Sequence, residues 1–205
     1  MNNLSPKEIY DQKKQERLGS EKKLEQFGKF KKLLVWFLVI LIIGGGIYWF
    51  TKRSWEKISE RKIYAVEIPD QGRNHIDIGA LHPAYNSNPP TSGPHYGNPA
   101  EKGIYKKELT DEQLVHNLVH GYIWISYRLD TSLEIIKQLE SFYGFGKKII
   151  IEPRAANDKI ISLVAWNWHD KFDPASGDSL NDVELKRIGD FIDQYINQGP
   201  EPNAP

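Results

Sequence analysis

The 205-residue chain contains no cysteine and a single methionine. Neither a disulfide framework nor a thiolate metal site is therefore available, and a Met-rich copper site is excluded; any bound metal must be held by nitrogen and oxygen. Net charge is also missing, since 27 basic and 27 acidic side chains cancel. The cancellation hides an asymmetry: residues 1–32 carry 9 basic and 5 acidic groups, residues 51–62 carry 5 and 2, and residues 63–205 carry 13 and 20. An acidic main segment argues against a nucleic-acid partner, whose affinity rests on Lys and Arg neutralising phosphates. It tolerates a bound cation.

One long apolar run is present. Residues 33–50 are uncharged and mostly apolar, and as a helix they span about 27 Å, close to the thickness of a hydrocarbon core. They are expected to form a transmembrane helix. A cleaved signal peptide fits less well, because the run is long, a 32-residue basic tail precedes it, and no small-x-small site follows. Lys and Arg number 8 in residues 13–32 against 5 in residues 51–70, which orients the N-terminus inside and the remaining chain outside the cell membrane, single-pass. The expected organisation is a basic cytoplasmic tail (1–32), helical from a Ser5-Pro6-Lys7-Glu8 start, the span (33–50), a charged linker (51–62), one soluble domain (63–198) and a disordered tail (199–205).

Within the domain, residues 63–68 and 76–78 read as strands around the turn-forming Pro69-Asp70-Gln71-Gly72. About 30 residues without periodicity follow, from Gly79 to Leu109, a length that points to a functional loop. Thr110 to Gln113 predicts a capping box opening a helix that Gly121 closes. Strands are expected at 122–127, 148–152 and 160–168, and helices at 132–143 and from an Asn181–Glu184 capping box onward. The order β-α-β-β-α predicts an α+β sandwich of ferredoxin-like flavour, with its helices on one face and a long Pro/Gly-rich loop.

Four of the six histidines fall in residues 82–120. His82 and His95 lie in the proline-stiffened loop, while His116 and His120 are one turn apart on the expected helix, about 6 Å along its axis, within reach of one metal. His169, beside Asp170 in Trp166-Asn167-Trp168-His169-Asp170, is a further candidate, with Asp170 as its orienting carboxylate. His82, His95, His116, His120 and His169 are thus the candidate ligands, and an all-imidazole set suits Zn²⁺ or Cu²⁺. His75 reads as an ordinary strand-end residue. The competing reading makes these histidines hydrogen-bonders that pin the loop, in a non-catalytic envelope interaction module. Catalysis is less well supplied: position 117 is Asn where a metalloprotease needs Glu, and Ser92 with His116 and Asp170, the one triad that can be written, lacks a nucleophile elbow.

Asn86-Ser-Asn-Pro-Pro-Thr-Ser-Gly-Pro-His95-Tyr96, His116-Asn-Leu-Val-His120-Gly121 and Phe191-Ile-Asp-Gln-Tyr195 with Gly199-Pro200-Glu201 resemble the bacterial family catalogued as domain of unknown function 3105. The resemblance covers roughly residues 65–202 and implies a membrane-anchored protein without assigning chemistry. The family's second motif carries Glu where this chain has Val119, so no role for that carboxylate is carried over.

Overall fold

The computed structural model describes residues 6–59, 62–144 and 146–203. The chain divides into two compact units, residues 1–61 and 62–205. In the first, one helix, α1, runs from Pro6 to Ser59 without interruption; the expected Ser5 cap lies outside the described residues. Charged flanks and apolar centre share that helix because none of the intervening residues breaks it. Even Gly44, Gly45 and Gly46, each costing about 1 kcal/mol relative to Ala, leave it helical. Its stretch Lys31–Arg53 is long and apolar enough to cross a membrane, and none of it is buried within the chain.

The second unit is α+β. Its sheet has six strands in the order β1 (Val66–Glu67), β8 (Trp168–Phe172), β7 (Ile161–Ala165), β5 (Ile123–Tyr127), β6 (Ile149–Pro153), β4 (Gly103–Ile104). A separate parallel pair joins β2 (His75–Ile76) to β3 (His95–Tyr96). Strand β5 is buried at every position, as a central strand covered on both faces must be. It pairs parallel with β6 across the connecting helix α3 (Leu133–Glu140), and antiparallel with β7.

Alternation along β5 assigns the two faces. Ile123, Ile125 and Tyr127 pack with Ile135 and Leu139 of α3 and with Ile188, Phe191, Ile192 and Tyr195 of α4 (Asp182–Tyr195). Trp124 points the other way, onto Leu114 and Leu118 of α2 (Asp111–Val119). The helices therefore cover both faces, not one. The ferredoxin-like expectation also fails on strand order, since a split βαβ unit places another strand between its two parallel strands, whereas β5 and β6 are direct neighbours.

Two further expectations change. The strand expected over 160–168 is a hairpin: Asn167, at φ 62°, turns the chain between Ala165 and Trp168, and β8 pairs back along β7. The aperiodic stretch from Gly79 to Leu109 contains the two-residue strands β3 and β4. At the helix starts, the Asn181–Glu184 capping box is formed with both reciprocal bonds, while Thr110 makes no side-chain cap.

The N-terminus of α2 is held by a buried cation instead. Arg154, 3% exposed, donates to both Asp111 carboxylate oxygens (3.0 and 2.7 Å), to Asn88 Oδ1 (2.6 Å) and to Asn157 Oδ1 (3.3 Å). Asn88 Nδ2 in turn donates to the Ala156 carbonyl at 2.6 Å. One guanidinium thus ties the Pro-rich segment, the helix start and the end of β6 together. Removing one partner of such a pair strands the others, so Arg154→Met is expected to destabilise the protein by about 3 kcal/mol. Lys at the same position should recover little of the loss, because it lacks the planar fork. Equilibrium denaturation of the full chain in detergent measures both.

Candidate metal centre

The centre is assembled where β2, β3 and α2 meet. Backbone bonds from Gly93 N to Gly72 O (2.8 Å) and from His95 N to Asn74 O (3.0 Å) set the β2–β3 register, which places His75 opposite His95. Helix α2 lies against this pair, and its Asn117 side chain fixes the approach. Asn117 is fully buried; its Oδ1 accepts from Ala100 N at 2.9 Å and its Nδ2 donates to Ala100 O at 2.8 Å. The residue that spoils a metalloprotease motif is thus a clamp on the chain just beyond β3.

The result is a group of three imidazoles. One ring nitrogen each from His75, His95 and His116 lies within 4.8 Å of the other two. Ring centroids are 4.9 Å apart for His75–His95 and 5.0 Å for the two pairs with His116. His95 and His116 are buried, while His75 opens to solvent.

The hydrogen bonds fix the tautomers. His95 Nδ1 lies 2.8 Å from Gly93 O, and His116 Nδ1 lies 2.5 Å from Tyr96 O. A carbonyl only accepts, so both Nδ1 atoms carry the hydrogen and Nε2 carries the lone pair, the form in which imidazole binds a metal. His95 Nε2 is buried with no hydrogen-bond partner among the described residues, and a buried polar atom left unpaired costs about 1–3 kcal/mol. Burial pushes the His116 pKa down to about 4, helped by the neighbouring imidazoles, and lowers that of His95 as well. Burial thereby favours the neutral form of both rings.

Of the residues expected from the sequence, His95 and His116 are brought together and His75 joins them. His120 stacks on His116, with centroids 4.7 Å apart and planes inclined by 20°. Parallel stacked rings do not aim their nitrogens at a common point, and His120 Nδ1 instead faces Glu201 O at 3.3 Å. His82 is engaged elsewhere, between Pro83 O (2.8 Å) and Glu112 Oε1 (3.2 Å). His169 lies on β8 opposite Val66 and Val164. Asp170 does not orient it: adjacent strand residues point to opposite faces, and Asp170 is paired with Arg187 of α4 at 2.8 and 2.5 Å. The same pairing takes Asp170 out of the triad with Ser92 and His116, and Ser92 Oγ accepts from Gln71 N at 3.0 Å. His75 escaped sequence reading because only the non-local β2–β3 pairing gives it a role.

Of the tail expected to be disordered, 199–205, residues 199–203 are described, and with the residues just before them they pack on the end of α2. Asn197 N donates to Gly121 O (2.8 Å), Glu201 N to Val119 O (2.9 Å), and Lys148 Nζ to both His120 O (3.0 Å) and Pro202 O (2.6 Å). Backbone meets backbone here. A Cβ on Gly199 would stand 2.4 Å from Gly121 N, Leu118 O and Val119 O, and one on Gly121, at φ +75°, would stand 2.6 Å from Asn197 Cα.

With this geometry established, comparison with known proteins matches residues 81–205 to the family described as protein of unknown function DUF3105. The chain belongs to that family. His95, His116, His120 and Glu201 lie within the matched span, and His75 lies just upstream of it. No curated protein and no solved structure matches the chain.

Two outcomes follow for the metal-free protein. A folded-state pKa depressed from 6.5 to about 4 at His116 contributes stability that is complete above pH 6.5 and is lost as pH falls toward 4, because the unfolded chain takes up the proton first. Chelator-treated protein should therefore lose on the order of 2 kcal/mol over that window, and His116→Asn should flatten this part of the profile. Gly199→Ala should destabilise by about 3 kcal/mol or more, whereas Gly177→Ala, with open space around the added carbon, should be nearly neutral. Urea titrations at fixed pH measure both effects.

Proposed function

We propose that this protein is a membrane-anchored, divalent-metal-binding protein whose ion, Zn²⁺ or Cu²⁺, is held by His75, His95 and His116. The observation that carries the reading is the buried, partnerless Nε2 of His95 within a group of three ring nitrogens no more than 4.8 Å apart. Ligand nitrogens around a tetrahedral zinc stand about 3.3 Å apart, so each ring needs to move inward by less than about 1 Å. The chemistry of the donor set agrees, since a chain without cysteine offers imidazole, which suits these two ions. In this reading residues 33–50 anchor the chain with its N-terminus inside, and the domain at 63–198 works on the outer side of the cell membrane.

A second reading keeps the histidines structural, in an envelope interaction module. It is favoured by the bonds that His95, His116 and His120 make to backbone carbonyls of two separate segments, Gly93 and Tyr96 in one and Glu201 in the other.

Metal titration of the untagged, demetallated full chain in detergent separates the two. Metal binding predicts one ion per chain, a rise in melting temperature with added Zn²⁺ or Cu²⁺, and losses in affinity for His95→Ala and His116→Ala beyond the roughly 10–100-fold typical of residues that only orient ligands. His82→Ala and His169→Ala should bind as the parent does. Affinity weaker than about 10 µM with an unmoved melting temperature would leave the structural reading in place, and in that case the His→Ala changes should cost about 1–3 kcal/mol of stability in the apo protein.

A further inference from the structure

A divalent ion on three neutral imidazoles keeps its full double charge, and a carboxylate that acts electrostatically on His95 belongs to the C-terminal segment. Glu201 is positioned by its own backbone: its N–H donates to Val119 O, and its carbonyl accepts from His120 Nδ1. Its side chain is consequently free to differ in position without disturbing the segment's attachment. Glu201 Oε1 pairs with Arg73 Nη1 at 3.2 Å, both side chains being about half exposed. Arg73 lies two residues before His75, so along an extended backbone the two side chains project to the same side. The carboxylate is also close enough to His95 to favour that ring's protonated form electrostatically. Glu201 is therefore tied through Arg73 to the strand that carries His75, and its charge acts on His95.

We propose that Glu201 is the fourth, anionic ligand of this centre, and that Arg73 competes with the metal for its carboxylate. The inference rests on the metal-binding reading above. Glu oxygen is an ordinary fourth ligand beside three histidines, and it halves the charge the ion brings into a partly buried site. An exposed Arg–Glu pair is worth little, so a dication held by three imidazoles displaces it readily. The donors then come from β2, β3, α2 and the C-terminal segment, and binding an ion fastens that segment to the centre through a side chain as well as through backbone.

The test compares parent, Glu201→Gln and Arg73→Gln full-length chains in detergent, using Zn²⁺ competition for affinity and the visible absorption of bound Co²⁺ for the ligand set. Glu201→Gln is expected to weaken Zn²⁺ binding by about 10–100-fold and to change the Co²⁺ spectrum, with apo melting unchanged because the backbone anchors remain. Arg73→Gln is expected to act in the opposite direction, tightening Zn²⁺ by about two- to fivefold with the parent's Co²⁺ spectrum. If the pair only latches the segment in place, both variants weaken binding alike and the proposal is overturned. Parent-like affinity and spectrum in Glu201→Gln overturn it too, while leaving the three-histidine reading intact. Absence of Zn²⁺ and Co²⁺ binding in the parent removes both.

Discussion

Helix α2 is short and almost entirely enclosed, with six of its nine residues buried, and that enclosure governs the polar chemistry of the domain. A buried polar side chain without a partner is costly, so each one on this helix, or at its end, must find backbone to bind. Asn117 takes both amide groups of Ala100, His116 takes the Tyr96 carbonyl, and His120 takes that of Glu201. None of these partners lies in the central sheet. The helix thus works as a post to which the irregular parts of the chain are tied, and the bonds that satisfy Nδ1 of His95 and His116 leave Nε2 of each ring uncommitted to backbone.

The elements legible from sequence were those whose signals are local. Strands β5 and β6 have β-branched and aromatic runs, α3 and α4 have apolar stripes, and the Asn181–Glu184 box is written within four residues. Sidedness was not legible. That α2 opposes α3 and α4 depends on which face of β5 each one covers, and Trp124 among its isoleucines does not announce that it faces alone. The β7–β8 hairpin was masked by Trp166 and Trp168, which read as continued strand, and by a turn relying on Asn167 at positive φ without the glycine that usually marks such turns.

For the centre itself, the density of histidine around positions 95 and 116 was visible, but its geometry was not. Helical spacing alone suggested that His116 and His120 would share an ion. Spacing fixes where Cα atoms stand and leaves open which hydrogen bonds rotate the rings, and the Glu201 carbonyl turns His120 into a stacking neighbour. His75 carries no local mark at all. Its place follows from a two-residue parallel pairing that no periodicity could reveal, and Asp170, which does carry a local mark beside His169, is committed to Arg187 across the opposite face.

The backbone contact between Gly121 and Gly199 has a consequence for the order in which the molecule acquires its parts. His75 and Glu201 are 126 positions apart in sequence, nearly the full length of the domain, and contacts so distant require most of the intervening chain to be compact before closing them is favourable. The sheet and its two helical layers can form while this corner is still open. The corner that brings His75 and Glu201 together is therefore expected to close late in folding, once both ends of the domain have reached their native places.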